Sequence, residues 1–173
     1  MINLRPHQQT AVDALRSNSI GQCIFPTGGG KTLVQIVDAM KRFEIKVPRT
    51  IVVVAPRLLL ANQLCDDYLQ HITNANVLHV HSGDTRHFKT TRPERIKLFV
   101  SMCETVREHV IIFTTYHSLH RIVEADINID TIYFDEAHNS VQRHFYPATE
   151  TLSKKADCLL YTSDAADGRV SVD

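Results

Sequence analysis

Two short stretches hold the residues whose types and spacing could do chemistry. In "CIFPTGGGKTLV", residues 23 to 34, three consecutive glycines lead into Lys31 and Thr32 between two apolar runs. Glycines let backbone N–H groups converge, and a helix N-terminus adds the positive end of its dipole, so such a loop suits a phosphate. Pro26, Thr27, Gly28, Gly29 and Gly30 would form the cradle for a nucleotide such as ATP. Lys31 would reach the β- and γ-phosphates, and the Thr32 hydroxyl would ligate Mg2+. A glycine turn ahead of an amphipathic helix is the plainer alternative, but such turns rarely end in Gly-Lys-Thr between a strand and a helix. The first glycine of G-x-x-x-x-G-K-[ST] is replaced by Phe25.

The second stretch is "IYFDEAHN", at the end of an apolar run. Asp135 would bind Mg2+, through water, and Glu136 would polarise the water that attacks the γ-phosphate. Taken alone, the acid pair could equally cap a following helix. In a doubly wound sheet the strand C-termini open onto one edge, so residues 135 to 138 are expected beside residues 26 to 32.

The elements that must position these groups are legible as alternating patterns. Apolar, β-branched runs at 22 to 25, 50 to 55, 76 to 80, 109 to 115 and 131 to 135 read as strands, with "ADCLLYT" as a last one. Between them, residues 33 to 43 and 58 to 72 repeat apolar side chains at helical spacing. A further helix is expected at "TRPERIKLFVSMC", where Thr91 and Glu94 have capping-box spacing and Pro93 falls in the first turn. Strand–helix alternation predicts an α/β fold, a three-layer parallel sheet with helices on both faces.

Composition narrows the class. The 173 residues suffice for one well-buried domain. Four widely spaced cysteines without a C-x-x-C pair argue against a disulfide framework or a zinc knuckle and fit a reducing cytoplasm. The N-terminus lacks the basic leader and apolar core of an export signal, and no run approaches a membrane span. Lys plus Arg equals Asp plus Glu at 19 each, so net charge advertises no polyanion partner. Local charge does vary: residues 83 to 97 hold five Lys/Arg against two Asp/Glu, a basic loop over nucleic acid or simply a solvated one. The pairs His79/His81 and His117/His120 lack the carboxylate or cysteine company of a metal site.

Taken together, the residues resemble superfamily 2 helicases and translocases of the DEAD/DEAH group, closest to the branch with the helicase subunits of type III restriction enzymes. The likeness covers roughly residues 3 to 157, and a residue such as Phe25 ahead of P-T-G-x-G-K-T is ordinary in that branch. It implies a P-loop NTPase domain of RecA-like fold that couples ATP hydrolysis, with Mg2+, to movement along nucleic acid, DNA rather than RNA. By the same resemblance Gln8 would read the adenine edge with Arg5 in support, although "LRPHQQTAVDAL" is also an ordinary amphipathic helix begun by Pro6. Arg57 in "VVVAPRLLLANQ" would touch a nucleic-acid phosphate, and Thr114, Thr115 and Tyr116 in "IIFTTYHSLHRI" would line the strand. His138 would couple the nucleotide site to the nucleic-acid site.

The resemblance also implies a second domain of the same architecture, carrying arginine fingers, and a possible nuclease or methyltransferase partner. Where the family's Thr-Ala-Thr-Pro-like motif is expected, the chain reads "CLLYTSDAAD", an in-frame match to a translated transposon-end sequencing adapter. The expected organisation is therefore a helicase ATP-binding domain over 1 to 157, an artefactual or disordered tail over 158 to 173, and an absent second helicase domain. A truncated module that binds nucleotide or nucleic acid without turnover is the alternative function.

Overall fold

The computed structural model describes residues 2–26, 28–140 and 142–164, with the backbone of 171 and 172. Along the chain, α1 (Pro6–Ser17) precedes β1 (Ile20–Phe25), and α2 (Lys31–Arg42) leads to β2 (Thr50–Ala55). Next come α3 (Leu58–Leu69), β3 (Ala75–Val80), α4 (Pro93–Thr105) and β4 (His109–Thr115). After α5 (Leu119–Ala125) and β5 (Thr131–Phe134), α6 (Tyr146–Lys155) delivers β6 (Cys158–Asp164). The six strands pair in parallel in the order β3-β4-β2-β5-β6-β1, and the two-residue β7 (Ser171–Val172) joins β1 antiparallel at the edge.

The strand pattern explains the layers. In β2, "TIVVVA", every residue is buried, as a central parallel strand covered on both faces must be. Side chains alternate across the pleat. Ile51, Val53 and Ala55 thus pack with α1, α2 and α3, while Val52 and Val54 pack with α4, α5 and α6. Each fully buried Ile or Val among them contributes roughly 1.5–3 kcal/mol. Among the described residues no helix is long and apolar enough to cross a membrane.

Two expectations change. The Thr91–Glu94 capping box does not form: the helix starts one residue later, with Arg92 at the cap, Pro93 in the first turn and no side-chain cap bond. Thr90 takes the local role instead, its hydroxyl accepting from the Arg92 N–H at 3.2 Å. Residues 158–164, which hold the end of the expected strand "ADCLLYT" and the first residues of the expected tail, form β6 between β5 and β1, so the strand runs two residues further than expected. The reason is again alternation: Leu160 enters the core cluster on one face and Leu159 the cluster on the other. Residues 165–170 and 173 lie outside the described residues.

The register aligns the strand ends. Phe25 pairs with Asp164, Phe134 with Tyr161, Val54 with Phe134 and Ala55 with Thr115. The residues that follow β1, β2, β4 and β5 therefore emerge on one carboxyl edge, where ligands of open α/β sheets bind.

Candidate active site

The loop after β1 is shaped by its glycines. Gly28 and Gly30 have φ of +77° and +82°, a left-handed backbone that a Cβ would strain. Gly29 is required for space, because a Cβ there would lie 2.8 Å from the Pro26 carbonyl and 2.9 Å from Phe25 Cβ. Thr27 lies outside the described residues. At Gly30 the chain turns directly into α2, and the first N–H groups of a helix have no partner within the helix itself.

Helix α1 clasps this loop. Gln8 is buried; its Nε2 donates to the Gly29 carbonyl at 3.0 Å and its Oε1 accepts from the Arg5 N–H at 2.8 Å. His7 Nε2 lies 3.1 Å from the same Gly29 carbonyl, and its ring meets Phe25 edge-on at 5.2 Å. Both polar atoms of Gln8 are thus engaged in holding the loop, with Arg5 contributing its backbone and keeping an exposed side chain. His7 carried no sequence signal for this contact.

The two acids arrive from β5. Lys31 Nζ sits 3.3 Å from Glu136 Oε1 and is also ion-paired with Asp164 at the end of β6. Burial alone would lower the Lys31 ammonium, but Asp164 and Glu136 outweigh it and hold the group above its ordinary pKa. Glu136 adopts φ +50°, a left-handed conformation unusual for a side chain with a Cβ, which costs roughly 1–3 kcal/mol. Asn139 Nδ2 steadies that turn by donating to the Glu136 carbonyl at 3.0 Å. His138 is exposed, with Nδ1 3.5 Å from Glu136 Oε2.

Asp135 is set by buried partners. Thr162 donates to its Oδ1 at 3.1 Å and Tyr116 donates to its carbonyl at 2.9 Å. Behind Thr162, Gln35 Nε2 donates to the threonine hydroxyl at 3.1 Å and takes the Tyr68 hydroxyl on its Oε1 at 3.1 Å. Burial raises the Asp135 carboxyl above its ordinary pKa, and Glu136 adds to the rise against the opposing effects of Thr162 and Lys31. Thr32 and Asp135 line one cleft of about 380 Å³. Both offer hard oxygen donors, the kind Mg2+ takes alongside waters and phosphate oxygens, so the residues present fit the ion.

The expected nucleic-acid residues divide. Arg57 is exposed at the start of α3. Thr114 and Thr115 are buried, and the Thr114 hydroxyl donates to the Val80 carbonyl at 2.8 Å. Tyr116 is 2% exposed, stacked on Phe134 and Phe145, with its hydroxyl spent on Asp135. These three side chains face the interior, because strand alternation and the partner strands, not the local motif, decide which way a strand-end hydroxyl turns.

Comparison with solved structures gives the same fold. A nuclease-deletion mutant of the Type ISP restriction-modification enzyme LlaGI, in complex with a DNA substrate mimic, superposes with a TM-score of 0.80 at 23% identity over 94% of this chain and 17% of that one. The UvsW helicase from Bacteriophage T4 gives 0.68 at 17% identity, covering 94% and 52%. The Sulfolobus solfataricus SWI2/SNF2 ATPase core in complex with dsDNA gives 0.61 at 20%, covering 94% and 32%. This chain thus spans 17% of the LlaGI chain and about half of UvsW. No curated protein matches the sequence. The family described as "Type III restriction enzyme, res subunit" matches residues 1–162, and the chain belongs to that family.

Proposed function

We propose that this chain is the ATP-binding half of a DNA helicase or translocase, and that the intact protein hydrolyses ATP to move on its strand. The observation that carries the reading is the meeting, across more than a hundred residues of sequence, of Lys31 with Glu136 at 3.3 Å and of Thr32 with Asp135 in one cleft. Lys31 and the first N–H groups of α2 would bind the phosphates. Thr32 and Asp135 would hold Mg2+, which when bound neutralises charge on the phosphate oxygens. Glu136 orients the attacking water and accepts its proton. Gln8, braced on Gly29, and Arg5 border the side on which the base would lie.

Tyr116 joins the segment after β4 to the Asp135 backbone, and His138 lies against Glu136, so both sit where a nucleic-acid contact could alter the acid pair. Arg57 is the exposed phosphate contact on the same edge. DNA as the strand is supported by the DNA-bound relatives among the superposing structures. A second domain of the same architecture, bringing arginine fingers, and a nuclease or methyltransferase subunit are the partners this reading expects. Four buried, unbridged cysteines suit a cytoplasmic setting.

The test is nucleic-acid-stimulated ATPase activity of the intact protein. Lys31→Ala and Glu136→Gln are each expected to lower kcat about 100-fold or more, with Glu136→Gln still binding Mg-ATP. Undiminished turnover in either variant overturns the assignment. Mg-ATP binding without turnover in the unmodified protein establishes the binding-module alternative.

A further inference from the structure

Two side chains of α1 converge on one oxygen of the glycine loop. Gln8 Nε2 donates to the Gly29 carbonyl at 3.0 Å, and His7 Nε2 lies 3.1 Å from the same atom. A carbonyl can only accept, so the second contact is a hydrogen bond when the ring proton sits on His7 Nε2. Both lone pairs of the Gly29 oxygen are then filled. The half-buried His7 ring is itself held, because it meets the buried Phe25 edge-on, with centroids 5.2 Å and planes 89° apart.

Holding that oxygen fixes a whole peptide group. The peptide unit is planar, and no cis bond occurs among the described residues, so the Gly29 C=O and the Gly30 N–H point to opposite sides. With the carbonyl turned towards α1, the Gly30 N–H is aimed away from it. The preceding N–H is not available for a ligand, since Gly29 donates to the Pro26 carbonyl at 2.8 Å. The Gly29–Gly30 link is also where local sterics resist rotation least, because glycine takes either sign of φ and a flip turns mainly ψ of Gly29 and φ of Gly30. The loop's own residues therefore leave the direction of this N–H open, and α1 decides it.

We infer that His7 is a positioning residue for the phosphate loop: through the Gly29 carbonyl it holds the Gly29–Gly30 peptide so that the Gly30 N–H faces the nucleotide's phosphates. The role rests on the proposed nucleotide site and adds to it a residue that itself touches neither phosphate nor base. Gln8 is the other half of the clamp. A single donor leaves the carbonyl free to pivot about one hydrogen bond, whereas donors on both lone pairs fix its direction. A residue acting in this way affects every ligand that offers a phosphate chain, to the same degree whatever base is attached.

The experiment compares His7→Phe, which keeps an aromatic ring against Phe25 but removes the donor, with His7→Gln, whose Nε2 stands as many bonds from the backbone as the imidazole Nε2. Each version of the 173-residue chain is titrated with Mg-ATP and with magnesium-bound inorganic triphosphate, which has no base. Both ligands are expected to bind His7→Phe about fivefold more weakly, by the same factor, and His7→Gln should recover most of the loss. In the ligand-free chains the Gly30 amide is followed by NMR. One sharp signal is expected in the unmodified and His7→Gln chains, and a broadened or doubled one in His7→Phe as the peptide flips. A loss confined to ATP overturns the role, because it would place His7 at the base. Equal affinities in all versions, a loss as large in His7→Gln as in His7→Phe, or a Gly30 signal equally sharp in His7→Phe overturn it as well. If neither ligand binds the unmodified chain, the proposed nucleotide site fails, and the Gly30 signal still decides whether His7 holds the peptide.

Discussion

The glycine loop at 26–32 and the strand end at 114–116 sit on the same edge of the sheet, yet they present polar groups in opposite ways. In the loop, the groups that would face a phosphate are backbone N–H atoms and side chains at the start of α2, whose direction follows from positive φ at Gly28 and Gly30 and from the helix itself. At the end of β4 the hydroxyls of Thr114 and Tyr116 are consumed by Val80 and Asp135. A motif whose geometry is local keeps its chemistry wherever the chain goes. One whose geometry is borrowed from neighbouring strands has its side-chain donors placed by those neighbours.

The sharpest way to break this contrast is Gly30→Ala. The added Cβ meets Gln8 Nε2 in a left-handed backbone, so stability should fall by about 3 kcal/mol and Mg-ATP binding should weaken with it. Urea unfolding alongside nucleotide titration checks both, and an unchanged midpoint would show that the loop does not carry its own geometry. Next in size, Tyr116→Phe leaves the Asp135 carbonyl without its donor at about 1–2 kcal/mol and should reduce Mg-ATP affinity. Thr114→Val is the control, expected to cost about 1 kcal/mol with nucleotide and DNA affinities unchanged. If Thr114→Val weakens DNA binding instead, the strand end does contact the strand.

Smaller effects sharpen the comparison on the exposed side. Arg57→Ala should weaken DNA binding evenly across sequences and lower the salt slope by about 1, measured by polarisation at several ionic strengths. Asp164→Asn removes a carboxylate that, on the proposed function, would compete with phosphate for Lys31. Because Asp164 is partly exposed, the gain in Mg-ATP affinity should be modest, about two- to fivefold, read by calorimetric titration. A loss of affinity would mean that Asp164 orients Lys31 rather than competing for it.

Much of the fold was legible in the sequence, element by element. β2 and α2 could be read directly, since continuous β-branched burial and helical apolar spacing are local properties of "TIVVVA" and "KTLVQIVDAMKR". The cap of α4 was misread because Thr91 and Arg92 compete for the same position, and Pro93 fixes the first helical residue whatever precedes it. His7 and Thr162 gave no signal at all, for each acts through a partner far away in the chain.

By itself, then, the sequence determined where strands, helices and the glycine turn would form, and that Lys31, Thr32, Asp135 and Glu136 had the right types for phosphate and Mg2+ chemistry. Only the tertiary structure decided that β6 enters between β5 and β1, bringing Thr162 to Asp135 and Asp164 to Lys31, and that Thr114 and Tyr116 turn inward. The physical reason is that periodicity and positive φ are fixed within a few residues. Strand order and register depend on which apolar faces cover one another across the whole chain, and no local window carries that information.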